Sequence, residues 1–200
     1  MTKVFSALAV SVDGYITGPH PSPEQPLGAG GGRLFDWYGD GDTPSQVFPG
    51  FRLWPASARV FDEVAGRVGA VIAGRKTYDD SGGWGGGGPH PSAPLFVLSH
   101  RPPPEPPVSS PGQTFTTGIA DAITAAQAAA GGKDVALMGS GVVTAGLRAG
   151  LLDEVVLHQV PVLLGGGVPF FHDLAGRVPL TLLDVVAAPG VTHLRFAVDR

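Results

Sequence analysis

The stretch Val135-Ala-Leu-Met-Gly-Ser-Gly-Val-Val-Thr-Ala-Gly-Leu-Arg-Ala-Gly-Leu-Leu-Asp-Glu-Val-Val-Leu-His-Gln-Val-Pro161 decides how the rest of the chain must fold. Val135 to Met138 is a short apolar run of the kind a strand buried on both faces requires, and Gly139-Ser140-Gly141 ends it with residues that tolerate positive φ. Val143, Leu147 and Leu151 then fall four apart, which is helical, and Glu154 to Val160 returns to a β-rich run. The unit reads strand, glycine turn, helix, strand. Such a turn leaves backbone N–H groups without partners at a helix N-terminus, where the dipole favours negative charge. It either holds a phosphate or is a tight turn that needs glycine and binds nothing. A Rossmann fingerprint is ruled out, because the acid expected about 20 residues on is replaced by His158 and Gln159, while Asp153 and Glu154 precede the strand. The rest of any nucleotide must therefore be held by other parts of the chain.

Composition narrows the function. With 200 residues, 43% of them hydrophobic, the chain can bury a sizeable core as a single domain over 1–200. No stretch approaches the roughly 20 apolar residues of a membrane span, and the N-terminus lacks a signal peptide's basic and apolar regions, so a cytoplasmic protein is expected. The absence of cysteine excludes disulfides, thiolate chemistry and cysteine-ligated metal. A net charge of −4 with scattered Lys and Arg argues against a nucleic-acid surface and leaves a small molecule as the expected ligand. No His-Glu-x-x-His or comparable pair occurs among the 6 histidines, so no metal site is expected, and His20, His90 and His172 sit in surface-like loop contexts. The 31 Gly and 20 Pro cluster in loops such as 28–32, 82–94 and 102–111 and leave the apolar runs uninterrupted.

Val4 to Val10 reads as a central strand that runs into Asp13-Gly14. At such a strand end Asp13 is either a site carboxylate that positions substrate or orders a water, or a cap of its own turn. Residues 18–57 are long and irregular but rich in aromatics, with Phe35, Trp37, Tyr38, Phe48, Phe51 and Trp54. They are suited to a lid over a flat ring, to closing a small core, or to a dimer contact. Ser57 is placed as the N-cap of a helix carrying Phe61, Val64 and Val68, followed by a strand from Gly69 to Ala73. That strand ends at Gly74-Arg-Lys-Thr-Tyr78, and the next, Leu95 to Leu98, at Ser99-His-Arg101. Both ends carry anion-friendly groups. Thr116 or Thr117 starts an alanine-rich helix that runs to Ala130, with Gly131 as its stop. Leu180 to Ala187 and Val191 to Val198 read as a terminal hairpin, so a mostly parallel sheet with an antiparallel edge is predicted.

Ser11-Val-Asp-Gly-Tyr-Ile-Thr, Val71-Ile-Ala-Gly-Arg-Lys-Thr-Tyr, Phe96-Val-Leu-Ser-His-Arg-Pro, the Gly139 turn, and Gly150-Leu-Leu-Asp-Glu-Val with Pro161-Val-Leu-Leu-Gly lie in one order over nearly the whole chain. Together they resemble the dihydrofolate-reductase-like superfamily, in the branch related to the reductase domain of bacterial riboflavin biosynthesis. The resemblance implies a three-layer αβα fold, a mostly parallel sheet with an antiparallel C-terminal hairpin, and a reductase using NADPH on a pterin-like or ribosylaminopyrimidine-like substrate. The alternative is an NADPH-binding protein of the same fold without turnover. By motif, Gly74, Arg75, Lys76 and Thr77 would hold the pyrophosphate with Gly139, Ser140, Gly141 and Val142. Leu98, Ser99, His100 and Arg101 would meet the 2′-phosphorylated adenosine end. Ala9 and Ile16 would flank the nicotinamide, and Asp13 would act near hydride transfer. A homodimer is expected from the aromatic excess and the apolar hairpin. Two departures stand out. Members that reduce the riboflavin intermediate carry a glutamate where this chain has Met138, and within residues 1–200 no deaminase domain is expected beside the reductase-like one; the acid of true dihydrofolate reductases falls near Ala58, with Asp62 and Glu63 about a turn further on.

Overall fold

The computed structural model describes residues 2–103 and 112–199, so most of the proline loop expected at 102–111 lies outside the described residues. β1 (Val4–Ser11) is small or apolar on both faces because it sits inside a sheet covered on both sides. Val4, Leu8 and Val10 pack on one face of that sheet, Phe5, Ala7 and Ala9 on the other.

After β1 come a 3-10 turn (Gly31–Tyr38) and two short paired strands, β2 (Thr43–Pro44) and β3 (Arg52–Leu53). The α/β alternation follows: α1 (Pro55–Gly66), β4 (Val68–Gly74), α2 (Arg75–Asp80), β5 (Leu95–Leu98) and β6 (Gln113–Thr116). It continues through α3 (Ile119–Ala129), β7 (Asp134–Met138), α4 (Ser140–Arg148) and β8 (Glu154–Val160) to the hairpin β9 (Leu180–Ala188) and β10 (Val191–Val198). Eight strands form one sheet in the order β6-β5-β4-β7-β1-β8-β10-β9. The first six in that order run parallel, and β10 joins β8 antiparallel. Helices α3 and α4 cover one face with Ile123, Val142 and Val143. On the other lie α1, α2 and the aromatic residues of the long loop. This is the expected three-layer αβα fold, with the antiparallel pair at the C-terminus.

Local differences have local causes. α1 starts at Pro55, whose fixed φ suits a first helical position, and Trp54 holds the extended cap, so Ser57 falls inside the first turn. Thr116 does not start a helix but ends the edge strand β6, while α3 begins after Gly118. β6 is only four residues long and polar, too short for periodicity to show it.

At the N-terminal edge of the sheet Glu154, 1% exposed, meets Arg67 from the exit of α1, Arg195 from β10 (Nε to Oε1 2.9 Å) and Lys3 (3.4 Å). Both arginines bond both of its oxygens. Burial alone would raise this carboxyl, but hydrogen bonds and charge from the two arginines outweigh it and hold the group below its ordinary value. At the far edge β9 is exposed along most of its length, with Leu180, Leu182, Leu183 and Val185 in solvent. Among the described residues no helix is long and apolar enough to cross a membrane.

Candidate functional site

Strands β5, β4, β7 and β1 are neighbours in the sheet, and their C-terminal ends open together onto a cleft of about 1170 Å³. Every cofactor position read from the sequence lines it: Ala9 and Ile16 beside β1, Gly74 to Thr77 after β4, Leu98 to Arg101 after β5, and Gly139 to Val142 after β7. The turns after β4 and β7 touch. Gly139 has φ +100°, and a Cβ there would come within 2.6 Å of Thr77 Oγ1, so both handedness and space require glycine. Neither α2 nor α4 has a side-chain cap on its first turn.

The cations at this end are not all free. Arg75 Nε binds Asp79 Oδ1 at 2.8 Å, and its Nη1 donates to the Pro102 carbonyl at 2.6 Å and Ser99 Oγ at 3.3 Å, which ties the β4 exit to the β5 exit. Lys76 pairs with Asp80 at 2.8 Å. Arg101, with a side chain 62% exposed, donates from Nη2 to Asp79 Oδ2 at 2.8 Å. The segment Ser99 to Arg101 holds no carboxylate of its own, but the fold brings Asp79 to it. His100 is exposed.

The other end of the cleft is aromatic. Tyr38 stacks on Phe51 (4.5 Å, 22°) and Phe51 on Phe48 (5.2 Å, 8°), while Phe61 of α1 packs against Phe48 and Phe51. All four line the cleft with Phe5, Val64 and Val71. The long loop is therefore both core and wall: Leu34, Trp37 and Leu53 are buried beneath, and Phe35, Tyr38, Phe48 and Phe51 are half-buried at the cleft. Trp84 reaches the cleft from a left-handed turn that its glycine neighbours make possible.

A histidine pair lies under this end. His158 of β8 sits beside Ala9 in register, and its Nδ1 is 2.8 Å from Nδ1 of His193 on β10, whose Nε2 is 3.0 Å from Ser57 Oγ. Trp37 packs on both rings. Burial pushes both down, His158 to about 3 with His193 beside it adding to the shift, and His193 to about 4, so both are neutral near pH 7. Sequence reasoning placed Ser57 as a helix cap, met His158 only where a Rossmann acid was missing, and passed over His193. One signal was present: His158 shares a strand face with Val156 and Val160, a polar residue at a core position.

Asp13 does not line the cleft. Its carboxylate accepts the N–H groups of Leu164 (3.1 Å) and Gly165 (2.7 Å), and Val12, Gly14 and Ile16 bond across to Val162, Phe170 and Val168. Hydrogen bonding by the Ser11 hydroxyl, then by these amides, keeps the carboxyl below its ordinary value. Asp62 accepts from Ser45 and Gln46, and Glu63 pairs with Arg195 at 2.8 Å; neither lines the cleft. Among the described residues, His, Asp and Glu form no group of three or more suited to a metal ion.

Residues 2–194 match the family described as RibD C-terminal domain. The chain belongs to that family. A putative riboflavin biosynthesis protein from Shewanella sp. PV-4 has a similar structure (TM-score 0.70, 24% identity, 100% of both chains). So has a pyrimidine reductase-like protein from Corynebacterium diphtheriae (TM-score 0.62, 15% identity, 100% of this chain and 92% of that one). Dihydrofolate reductase from Enterococcus faecalis, complexed with NADP(H), superposes with TM-score 0.58 at 14% identity over 99% of this chain and 97% of its own. The chain spans 58% of the Acinetobacter baumannii RibD chain, at 18% identity and TM-score 0.57. A search of curated proteins returned no match. These likenesses establish a dihydrofolate-reductase-like fold, and membership of the RibD C-terminal domain family points to a reductase. In this member Met138 lines the cleft and contributes no carboxylate.

The histidine pair sets a pH dependence. Each ring binds a proton more readily unfolded, near pH 6.5, than folded, so stability is fully present above that value and is lost as pH falls toward about 4. At pH 5 the loss is about 2 kcal/mol for each ring that stays neutral, at 1.36 kcal/mol per pH unit. Calorimetry should show Tm falling between pH 6.5 and 5, above the range where carboxylates protonate, and a His158→Asn/His193→Asn double variant should show a shallower slope there.

Proposed function

We propose that the chain is an NADPH-dependent reductase that transfers a hydride to a small-molecule substrate. The supporting observation is that motifs far apart in sequence converge on one cleft, with uncapped helix starts and cations at one end and aromatic side chains at the other. The cofactor suits the residues present. A Cβ built on Gly141 meets nothing within 4 Å, although Gly141 lines the cleft, so that face is open to a ligand. When bound, NADPH supplies the hydride from its nicotinamide. The backbone amides of Ser140, Gly141 and Val142, with Gly74, Lys76 and Thr77, hold the pyrophosphate. Arg75 mainly fixes the Ser99 to Pro102 exit in place. Arg101, with Ser99 and His100, reads the 2′-phosphate, and Ala9 and Ile16 bound the nicotinamide. Asp13 serves turnover as a positioning residue, fixing the 163–167 loop against the end of β1.

One observation favours the second reading, a binding protein without turnover. Among the described lining residues the sole carboxylate is Asp80, which is paired with Lys76. Steady NADPH oxidation across a pterin, quinone and sugar panel establishes the reductase, and binding without oxidation establishes the alternative.

We also place a homodimer contact on the exposed apolar strand β9. Light scattering at micromolar concentration should give twice the chain mass, and a monomer mass would exclude the contact.

Arg101→Ala should weaken NADPH binding about tenfold while NADH binding barely changes, because a charge-assisted bond to the extra phosphate is worth about 1.5 kcal/mol after Asp79 takes its share. Equal losses for both cofactors would make Arg101 structural. Gly141→Val should keep the fold and lose NADPH; wild-type affinity in a fluorescence titration would move the pyrophosphate elsewhere. Asp13→Asn should lower kcat and leave NADPH affinity unchanged, whereas weaker NADPH binding with unchanged kcat would show that the loop it pins serves the cofactor.

A further inference from the structure

The two ends of the cleft differ in charge. Its described lining contains Arg75, Lys76 and Arg101 as the sole Lys or Arg side chains, all on the exits of β4 and β5, where carboxylates already hold them. The aromatic end has none. His90, also at that end, has both ring nitrogens engaged, by the Ala65 carbonyl at 3.1 Å and the Ser92 N–H at 3.3 Å, and burial lowers its proton affinity. A phosphate entering this chamber would lose its water and gain no cation, which is strongly unfavourable.

Among the described residues two polar atoms at this end have no hydrogen-bond partner, Tyr38 Oη and His158 Nε2. His158 is 2% exposed and lines the cleft; its Nδ1 is taken by His193, and its Nε2 has no hydrogen-bond partner among the described residues. Nε2 is open to the cleft, where water or a ligand completes its hydrogen bonding. The Ser57 hydroxyl at the far end of the chain can rotate. If Ser57 donates to His193 Nε2, His193 Nδ1–H donates to His158 and His158 Nε2 carries a proton. If Ser57 accepts, the tautomers reverse and His158 Nε2 becomes an acceptor. The pair therefore offers either polarity without carrying charge.

We propose that the aromatic end of the cleft takes an uncharged planar ring system, packed against Tyr38, Phe51 and Phe48 and hydrogen-bonded through a ring heteroatom or carbonyl to His158 Nε2, and that it rejects phosphorylated ribosyl substrates. This rests on the reductase reading only for which end the cofactor occupies. Flat faces suit the ladder because the Tyr38, Phe51 and Phe48 rings are themselves close to parallel. The neutral histidine pair gives an anion nothing to pair with and a neutral heteroatom one directional bond.

Calorimetric titration of the cofactor-free protein with pterin, 1,4-naphthoquinone and uridine 5′-monophosphate tests this, with NADPH titrated separately. Pterin offers both donors and acceptors and the quinone acceptors alone, so the two arms show which tautomer is used. At least one planar ring should bind about tenfold or more tighter than the nucleotide. His158→Phe should weaken that ring about tenfold, the weight of one buried hydrogen bond, and leave NADPH within about twofold. Phe51→Leu should weaken the ring with NADPH again unchanged, and decides together with the nucleotide comparison if His158→Phe does not fold. Nucleotide binding as tight as the tighter-binding ring, failure of both rings to bind, or ring affinity indifferent to a folded His158→Phe overturns the proposal. Loss of NADPH binding in the wild type would instead overturn the reductase reading, with the ring titrations still deciding this one.

Discussion

Glu154 is the constraint on which the sheet depends. A carboxylate 1% exposed is tolerable only when cations and hydrogen bonds replace the water it has lost, and here Arg67, Arg195 and Lys3 converge on it from the exit of α1, from β10 and from the chain start. Four segments distant in sequence are thereby fixed at one edge. Arg67 also lies over the Phe5 ring, 4.0 Å from its centroid, and Phe5 lines the cleft. The same ion cluster that sets the register of β8 against β1 and β10 thus steadies the floor of the site. Without Glu154, Arg195 would keep Glu63 and Arg67 would keep only the longer contact to Asp134, so the cluster's worth lies as much in excluding other registers as in net stability.

With charge concentrated at the N-terminal edge and at the exits of β4 and β5, the remaining cleft is free to be apolar. Sheet topology does the sorting. β5, β4 and β7, whose ends carry glycine, hydroxyl and cation, lie on one side of β1, while β8, β10 and the aromatic loop lie on the other. A ligand crossing the end of β1 passes from a polar to an aromatic surface. That gradient suits a phosphorylated cofactor meeting a flat partner, and Ala9, small and 3% exposed, sits at the boundary beside His158.

The sequence carried the parts of this design that are local. A strand broken by glycine, a helix spaced by fours and a following β run need only neighbours along the chain, so the Val135 to Pro161 unit and the Gly74 and Ser99 turns were legible, and five weak motifs in order gained weight from one another. The histidine pair was not legible, because Ser57, His158 and His193 belong to three elements and meet only through sheet pairing. Ser57 looked like a cap, yet Pro55 made that role unnecessary and left its hydroxyl for His193. Asp79 was hidden for the same reason: it lies in the helix after β4, but its second oxygen serves Arg101 beyond β5. β6 escaped because four residues at an edge need no apolar alternation.

Asp13 shows how a strand-end carboxylate can bear on a site without facing it. Placed directly after the central strand, it is close in sequence to Ile16, which lines the cleft, yet both its oxygens accept N–H groups from the Leu163 to Gly165 loop. That loop closes further against Thr17 and Gly18, where a Cβ on Gly167 would lie 2.0 Å from the Thr17 carbonyl oxygen. Two glycine-bearing segments are thus held together by backbone hydrogen bonds and one exposed charge, and both reach the cleft through Ile16, Thr17 and Val168. A carboxylate exposed to water adds little stability on its own. Its effect falls on position, because it adds two bonds to the Leu163 to Gly165 end of a wall that the Ile16–Val168 and Gly14–Phe170 backbone bonds and the Tyr15–Pro169 bridge hold further along.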